Sequence, residues 1–99
     1  MNADVEITDN EFLRQFELQI DDSMARIEYA LQERKIFLTK FEMPENLEKK
    51  GYRDIFIEAV FKEVKNRGIN LVPTSPEIAG YMRKNRRKYK DLLPVGINI

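Results

Sequence analysis

The sequence predicts an α+β fold: a mixed β-sheet with a long helix after the third strand and a short second helix, in the order β-β-β-α-β-α. Three observations carry this. Between residues 12 and 43, apolar and polar side chains alternate in three short runs broken by polar clusters. From Tyr52 the apolar spacing changes to that of an amphipathic helix. A short apolar run at residues 69–72 then returns and ends in a strong helix start.

Each element has its own signal. Residues 1–10, MNADVEITDN, are polar and are expected to be loosely ordered. Phe12, Phe16, Leu18 and Ile20 share one parity and predict the first strand, although Arg14 interrupts the series and favours a start after it. Asp21-Asp22-Ser23 is a turn signal. Ala25, Ile27, Tyr29 and Leu31 then alternate with Arg26, Glu28 and Ala30, as the second strand of a hairpin would. The third strand runs from Ile36 to Met43. Ile36 and Leu38 face one side, and Phe37, Phe41 and Met43 the other, so a central strand covered on both faces is expected. Pro44 ends it, because proline cannot donate to a sheet ladder.

A polar loop leads into the long helix, which begins near Lys50. Tyr52, Ile55, Phe56, Ala59, Val60 and Val64 form its stripe, widened by Ile57 and Phe61. Lys62, Lys65 and Arg67 suit the negative end of the helix dipole, and Gly68 is a stop. Ile69, Leu71 and Val72 make a short strand ended by Pro73, which a right-handed crossover would pair in parallel. Ser75 as cap, Pro76 in the first turn and Glu77 at the positive end start the second helix. Ile78, Ala79 and Met82 give it an apolar face. It frays into RKNRRKYK, and Leu92, Leu93, Val95 and Ile97 form a last extended or irregular segment.

Composition narrows the function. The 99 residues fit one domain spanning 1–99, and 42% hydrophobic content is enough to bury a core. The absence of Cys and His excludes thiolate nucleophiles, imidazole bases and ordinary zinc sites. It also fits a reducing compartment. With no apolar run of membrane length and an acidic start unlike a signal peptide, a cytoplasmic monomer without a membrane partner is expected. Formal net charge is zero, so bulk charge implies no nucleic-acid partner. The charge is unevenly spread. Residues 1–22 carry seven acids and one base, whereas residues 83–90 carry six bases and no acid. That basic segment is either a solvated helix end or a surface for an anionic partner.

The stretch from Ile36 to Phe61 draws the functional question. A strand feeding a helix N-terminus through a glycine-bearing loop is a natural anion site. The Ala-x-Ile-Glu-Tyr pattern at Ala25–Tyr29, the Met43-Pro44 pair, Gly51 before the helix and the Pro73–Tyr81 stretch occur in an order and spacing that resemble the small single-domain branch of the GNAT acetyltransferase superfamily. The resemblance covers about residues 12–93. It implies a GNAT-like fold, acetyl-CoA as cofactor and an amine acceptor.

By that resemblance, the backbone around Phe41, Glu42 and Met43 receives the pantetheine arm by strand addition. The pyrophosphate then rests on N–H groups at the next helix N-terminus. The family loop, Arg-Gly-x-Gly-x-Gly/Ala, corresponds here to Glu48, Lys49, Lys50, Gly51, Tyr52 and Arg53, of which only Gly51 fits. Either Lys49, Lys50 and Arg53 compensate by pairing with phosphate, or the pocket is filled and CoA binding is weakened or lost. The branch's cysteine and histidines fall on Ser75, Lys40 and Asn85. Ser75 has no histidine to activate it, and its competing role is the helix cap.

Tyr81 resembles the helix tyrosine that acts as acid toward the leaving thiolate; the competing reading, a core or surface tyrosine, has the greater weight. Glu28 or Glu42 could serve as base if held near an amine. The expected function is therefore an N-acetyltransferase that binds acetyl-CoA and acylates a small amine or a lysine. The alternatives are a non-catalytic GNAT-like domain used for protein interaction, or a binder of anionic partners through residues 83–90.

Overall fold

The computed structural model describes residues 5–97. Five strands form one sheet in sequential order: β1 (Thr8–Asn10), β2 (Gln15–Ile20), β3 (Ser23–Gln32), β4 (Lys35–Glu42) and β5 (Asn70–Pro73). Neighbours from β1 to β4 are antiparallel, and β5 runs parallel to β4 as the crossover required. The helices are α1 (Glu45–Lys49), α2 (Tyr52–Arg67), α3 (Pro76–Lys84) and α4 (Arg86–Tyr89), followed by a 3-10 turn at Lys90–Leu92. The α+β class and the main order hold, with β1, α1 and α4 as additions. Among the described residues no helix is long and apolar enough to cross a membrane.

One face of the sheet is covered. Phe16, Leu18, Ala25, Ile27, Tyr29, Ile36 and Leu38 pack in one cluster with Phe56, Ile57, Val60, Phe61 and Val64 of α2 and with Ile78 and Met82 of α3. The expectation that the third strand is covered on both sides is corrected here. Phe37 is only half-buried, and Thr39 and Lys40 are exposed. Phe41 also leaves the face assigned to it. Tyr29 pairs with Leu38 and Glu28 with Lys40, so Thr39 is an extra residue with no partner on β3. This β-bulge resets the alternation and returns Phe41 to the side of Ile36 and Leu38, where its ring meets Phe56 at 6.4 Å.

The other departures have local causes. The first strand starts at Gln15, because Arg14 adopts a positive φ of 57° in the turn after β1, and this leaves Phe12 93% exposed. Leu31 is 49% exposed because β3 overruns β2, whose last pairing sets Gln15 against Glu28. The polar loop after Pro44 winds into α1, pinned by the fully buried Leu47. Gly51, with φ of 85°, then breaks the helix, and α2 starts at Tyr52. The buried stripe of α2 is rotated from the one expected: Ile55 and Ala59 are only half-buried, while Ile57 and Phe61 lie at its centre. The basic segment does not fray. It forms α4, whose Tyr89 packs edge-on against Phe61 at 5.0 Å.

The N-terminal segment departs from its expected looseness at residues 8–10, which form β1; residues 1–4 lie outside the described residues. Side chains hold this edge strand. Tyr29 donates its hydroxyl to Asp9 Oδ1 at 2.6 Å, and Arg67 donates to Asp9 Oδ2 at 2.7 Å, so β1, β3 and the end of α2 share one network. Arg67 also pairs with Glu63 at 2.8 Å. Asn10 donates to Glu17 across the hairpin at 2.9 Å.

Burial first, and then the hydrogen bond to Asp9, push the Tyr29 phenol from 10.0 up to about 12. The folded value lies above the unfolded one. The stability this group contributes is therefore complete below pH 10 and is lost as pH rises through about 12. Tyr29→Phe is expected to cost about 1 kcal/mol in urea unfolding at neutral pH. The gap between the two proteins should close across that alkaline window, and a constant gap would place the titration elsewhere.

Candidate functional site

The site is built where two parallel strands part. Pairing of β4 with β5 ends at Leu38 opposite Pro73. Proline has no N–H to continue the ladder. Instead the N–H groups of Thr74 and Ser75 and the Thr74 hydroxyl all donate to the Leu38 carbonyl, at 3.2, 3.0 and 2.9 Å. The chain then turns away into α3. Beyond Leu38, β4 continues from Thr39 to Glu42 with no β5 partner, so its edge on that side has no strand neighbour.

A cleft of about 500 Å³ opens beside this edge. Met24, Phe41, Met43 and Pro44 supply its apolar wall. Arg26, Glu42, Glu48, Arg53 and Glu77 supply its charges. The charges are mostly committed. Arg26 forms an ion pair with Glu42 and lies 3.5 Å from Glu28. Lys40 approaches Glu42 at 3.0 Å. That Lys40 hydrogen bond, with Arg26 adding, holds the Glu42 carboxyl below the usual carboxylate range, which makes it a poor proton acceptor. Glu77 carries a lighter load: it accepts the Ser75 hydroxyl at 2.8 Å.

The junction of α1 and α2 borders the same cleft. Arg53 donates through Nε to Glu48 Oε1 at 2.9 Å and through Nη2 to Glu48 Oε2 at 2.5 Å. Its guanidinium lies 5.1 Å from the centre of the Phe41 ring. The Arg53 hydrogen bonds hold the Glu48 carboxyl below its ordinary value. The N–H groups of Leu47, Glu48, Lys50 and Gly51 already donate to nearby carbonyls. The intrahelical pattern of α2 then leaves those of Tyr52, Arg53 and Asp54 as its orphan donors.

The residues singled out from sequence fall into two groups. Phe41, Glu42, Met43 and Arg53 line the cleft. Lys49, Lys50, Gly51 and Tyr52 stand at its border without lining it, and Lys49 pairs loosely with Glu45 at 3.5 Å. Ser75 sits at the cap position of α3 but makes no side-chain cap, since its hydroxyl turns to Glu77. Tyr81 is buried against Phe61 and Tyr89, and lines a smaller hollow of about 220 Å³ that shares Arg53 and Glu77 with the cleft. Burial, with Tyr89 adding, pushes its phenol well above the usual tyrosine range. The exposed basic segment is partly engaged, with Lys88 on Glu58 at 2.9 Å.

Sequence reasoning missed Met24, Arg26 and Glu77 as lining residues. Glu77 carried only the signal of an acid in a first helical turn. Met24 and Arg26 depend on how far β3 reaches alongside β4, which no local pattern records. No group of acidic side chains among the described residues could hold a metal ion.

A model of the GCN5-related N-acetyl-transferase family matches residues 15–92, more than three quarters of the chain. No curated protein matches it significantly. Among solved structures, the solution NMR structure of a GCN5-like protein from Staphylococcus aureus, itself a proposed N-acetyltransferase, is similar with a TM-score of 0.66 at 18% identity, covering 97% of this chain and 93% of that one. At that identity the likeness speaks for the fold. The parted strands, the cleft beside β4 and the family match over residues 15–92 together mean that this chain belongs to the GCN5-related N-acetyltransferase family.

Proposed function

We propose that the protein binds acetyl-CoA in the cleft beside β4 and transfers the acetyl group to an amine. The observation that carries this reading is the strand edge Thr39–Glu42, which runs past the end of β5 along an apolar-walled cleft. Such an edge fits the amide-bearing pantetheine arm by strand addition. Phe41 and Met43 would flank the arm. The orphan N–H groups of Tyr52, Arg53 and Asp54 would face the diphosphate, where the α2 dipole favours negative charge. Lys49 and Lys50, outside the cleft lining, would act only through the longer-range field.

When bound, acetyl-CoA supplies an activated thioester carbonyl, and the amine nitrogen bonds to its carbon as the carbon–sulfur bond breaks. The chain's contribution is to bind, orient and move protons. Glu42 is held ionised by Lys40 and Arg26, and Glu28 lies beside Arg26, so neither suits the role of base. Glu77 is the cleft carboxylate that forms no ion pair among the described residues, with Arg53 acting on it only through its field, and we assign it the role of proton acceptor for the amine. Ser75 then positions Glu77 through its hydroxyl and is not a nucleophile. A phenol raised as far as that of Tyr81 gives up its proton reluctantly to a thiolate, whose reference value is about 8.5. Tyr81 would therefore help the leaving sulfur by donating a hydrogen bond.

Two measurements test this. Acetyl-CoA at about 100 times its Kd should raise stability by about 2.7 kcal/mol, with amide shifts concentrated at residues 39–43 and 52–54. No shift at millimolar ligand would remove the reading and leave a non-catalytic interaction domain as its replacement. With Nα-acetyllysine amide as acceptor, Glu77→Gln should lower kcat about 100-fold without weakening acetyl-CoA binding. An undiminished rate in that variant would exclude Glu77 as the base.

A further inference from the structure

We propose that Glu48 sets the donor specificity of the cleft: by holding Arg53, it makes the site recognise the pantetheine arm and nearly ignore the nucleotide diphosphate. The inference rests on the acetyl-CoA reading and deepens it.

Three observations support it. First, the planar Nε–Nη2 edge of Arg53, which would grip a phosphate in the same two-pronged way, is already filled by both Glu48 oxygens. The guanidinium also lies over the Phe41 ring, 5.1 Å from its centre. Second, the charges lining the cleft are Arg26 and Arg53 against Glu42, Glu48 and Glu77, so the acids exceed the bases by one. A diphosphate approaching α2 therefore meets a carboxylate in a site without net positive charge. Third, the backbone donors at the junction are narrowed to the first N–H groups of α2, those of Tyr52, Arg53 and Asp54. Residues 45–49 are helical rather than an open glycine loop, and the N–H groups of Glu48, Lys50 and Gly51 are spent on local carbonyls. Lys49 and Lys50, whose charge would offset the loss, do not line the cleft.

The Arg53 side chain is 42% exposed and that of Glu48 30%, so the pair competes with a ligand at moderate strength and does not seal the site. An uncharged pantetheine thioester needs nothing from Arg53 and should bind beside Phe41 and Met43 without disturbing Glu48. A CoA thioester must either leave the pair intact and gain little from its diphosphate, or break it.

Calorimetric titration of acetyl-CoA and S-acetylpantetheine into the wild type, Glu48→Gln and Arg53→Gln tests this. In the wild type the two ligands should bind within about three-fold of each other. Glu48→Gln keeps the size and hydrogen-bonding capacity of the side chain; it should tighten acetyl-CoA about five-fold and leave S-acetylpantetheine unchanged. Arg53→Gln should change acetyl-CoA affinity less than two-fold, and the double variant should lose the gain. Equal affinities of wild type and Glu48→Gln for acetyl-CoA would overturn the proposal while leaving the acetyl-CoA reading intact. So would a ten-fold loss in Arg53→Gln. Binding of neither ligand to any of the proteins would overturn both.

Discussion

The extra residue in β4 is the constraint on which the rest depends. A strand with strict alternation could not bury Ile36, Leu38 and Phe41 on one side, because Phe41 is out of phase with the other two. Thr39 absorbs the mismatch by having no partner across the ladder, and its hydroxyl donates to the Glu28 carbonyl at 3.2 Å. The strand therefore keeps Ile36, Leu38 and Phe41 in one core cluster, with Phe41 against Phe56 of α2. Pairing with β3 at Lys40, Phe41 and Glu42 holds the half of β4 beyond β5 extended, and the buried Phe41 holds it against the core. The same residue that keeps the core continuous thus keeps a free strand edge in place.

The parting of the strands has a second cause on the other side. Pro73 closes β5 chemically, since it has no N–H, and the Leu38 carbonyl gathers the next two backbone donors and the Thr74 hydroxyl. This satisfies the backbone where the ladder stops and fixes the direction in which the chain enters α3. Ser75 and Glu77 follow within one turn, so the residue pair at the cleft mouth is positioned by the strand end and not by a flexible loop. The helices are held together elsewhere: Phe61 meets Tyr81 at 5.4 Å and Tyr89 at 5.0 Å, tying α2, α3 and α4 into one aromatic cluster away from β4.

Much of this was legible in the sequence where one local rule decides the outcome. Strand parity identified Phe16, Leu18, Ala25, Ile27 and Tyr29 as core, Pro44 and Pro73 ended their strands, and Gly68 closed α2 at a φ of 69°. The misses required information that is not local. The bulge at Thr39 reveals itself only in the register with β3, and the open outer face only in the absence of a second layer. The helical turn at Glu45–Lys49 is a five-residue element whose stability comes from burying Leu47, not from propensity. In the site, Phe41, Met43 and Arg53 were found through motif order. Glu77 was hidden because an acid in a first turn already has a sufficient electrostatic explanation.

The junction between α1 and α2 illustrates a substitution of one kind of anion contact for another. A glycine-rich loop binds phosphate with N–H groups that carry no net charge and need no desolvation of a cation. Here the positions are Glu48, Lys49 and Lys50, and winding them into and beyond a helical turn spends those donors internally. What is left is the N–H groups of Tyr52, Arg53 and Asp54 and side-chain charge, and the one cation that reaches the cleft from this junction is already held by a neighbouring carboxylate. The strand edge is untouched by any of these changes. On the proposed reading, recognition would lean on the amide-bearing arm of the donor, because β4 beyond Leu38 keeps an edge without a β5 partner while the junction keeps only the first N–H groups of α2.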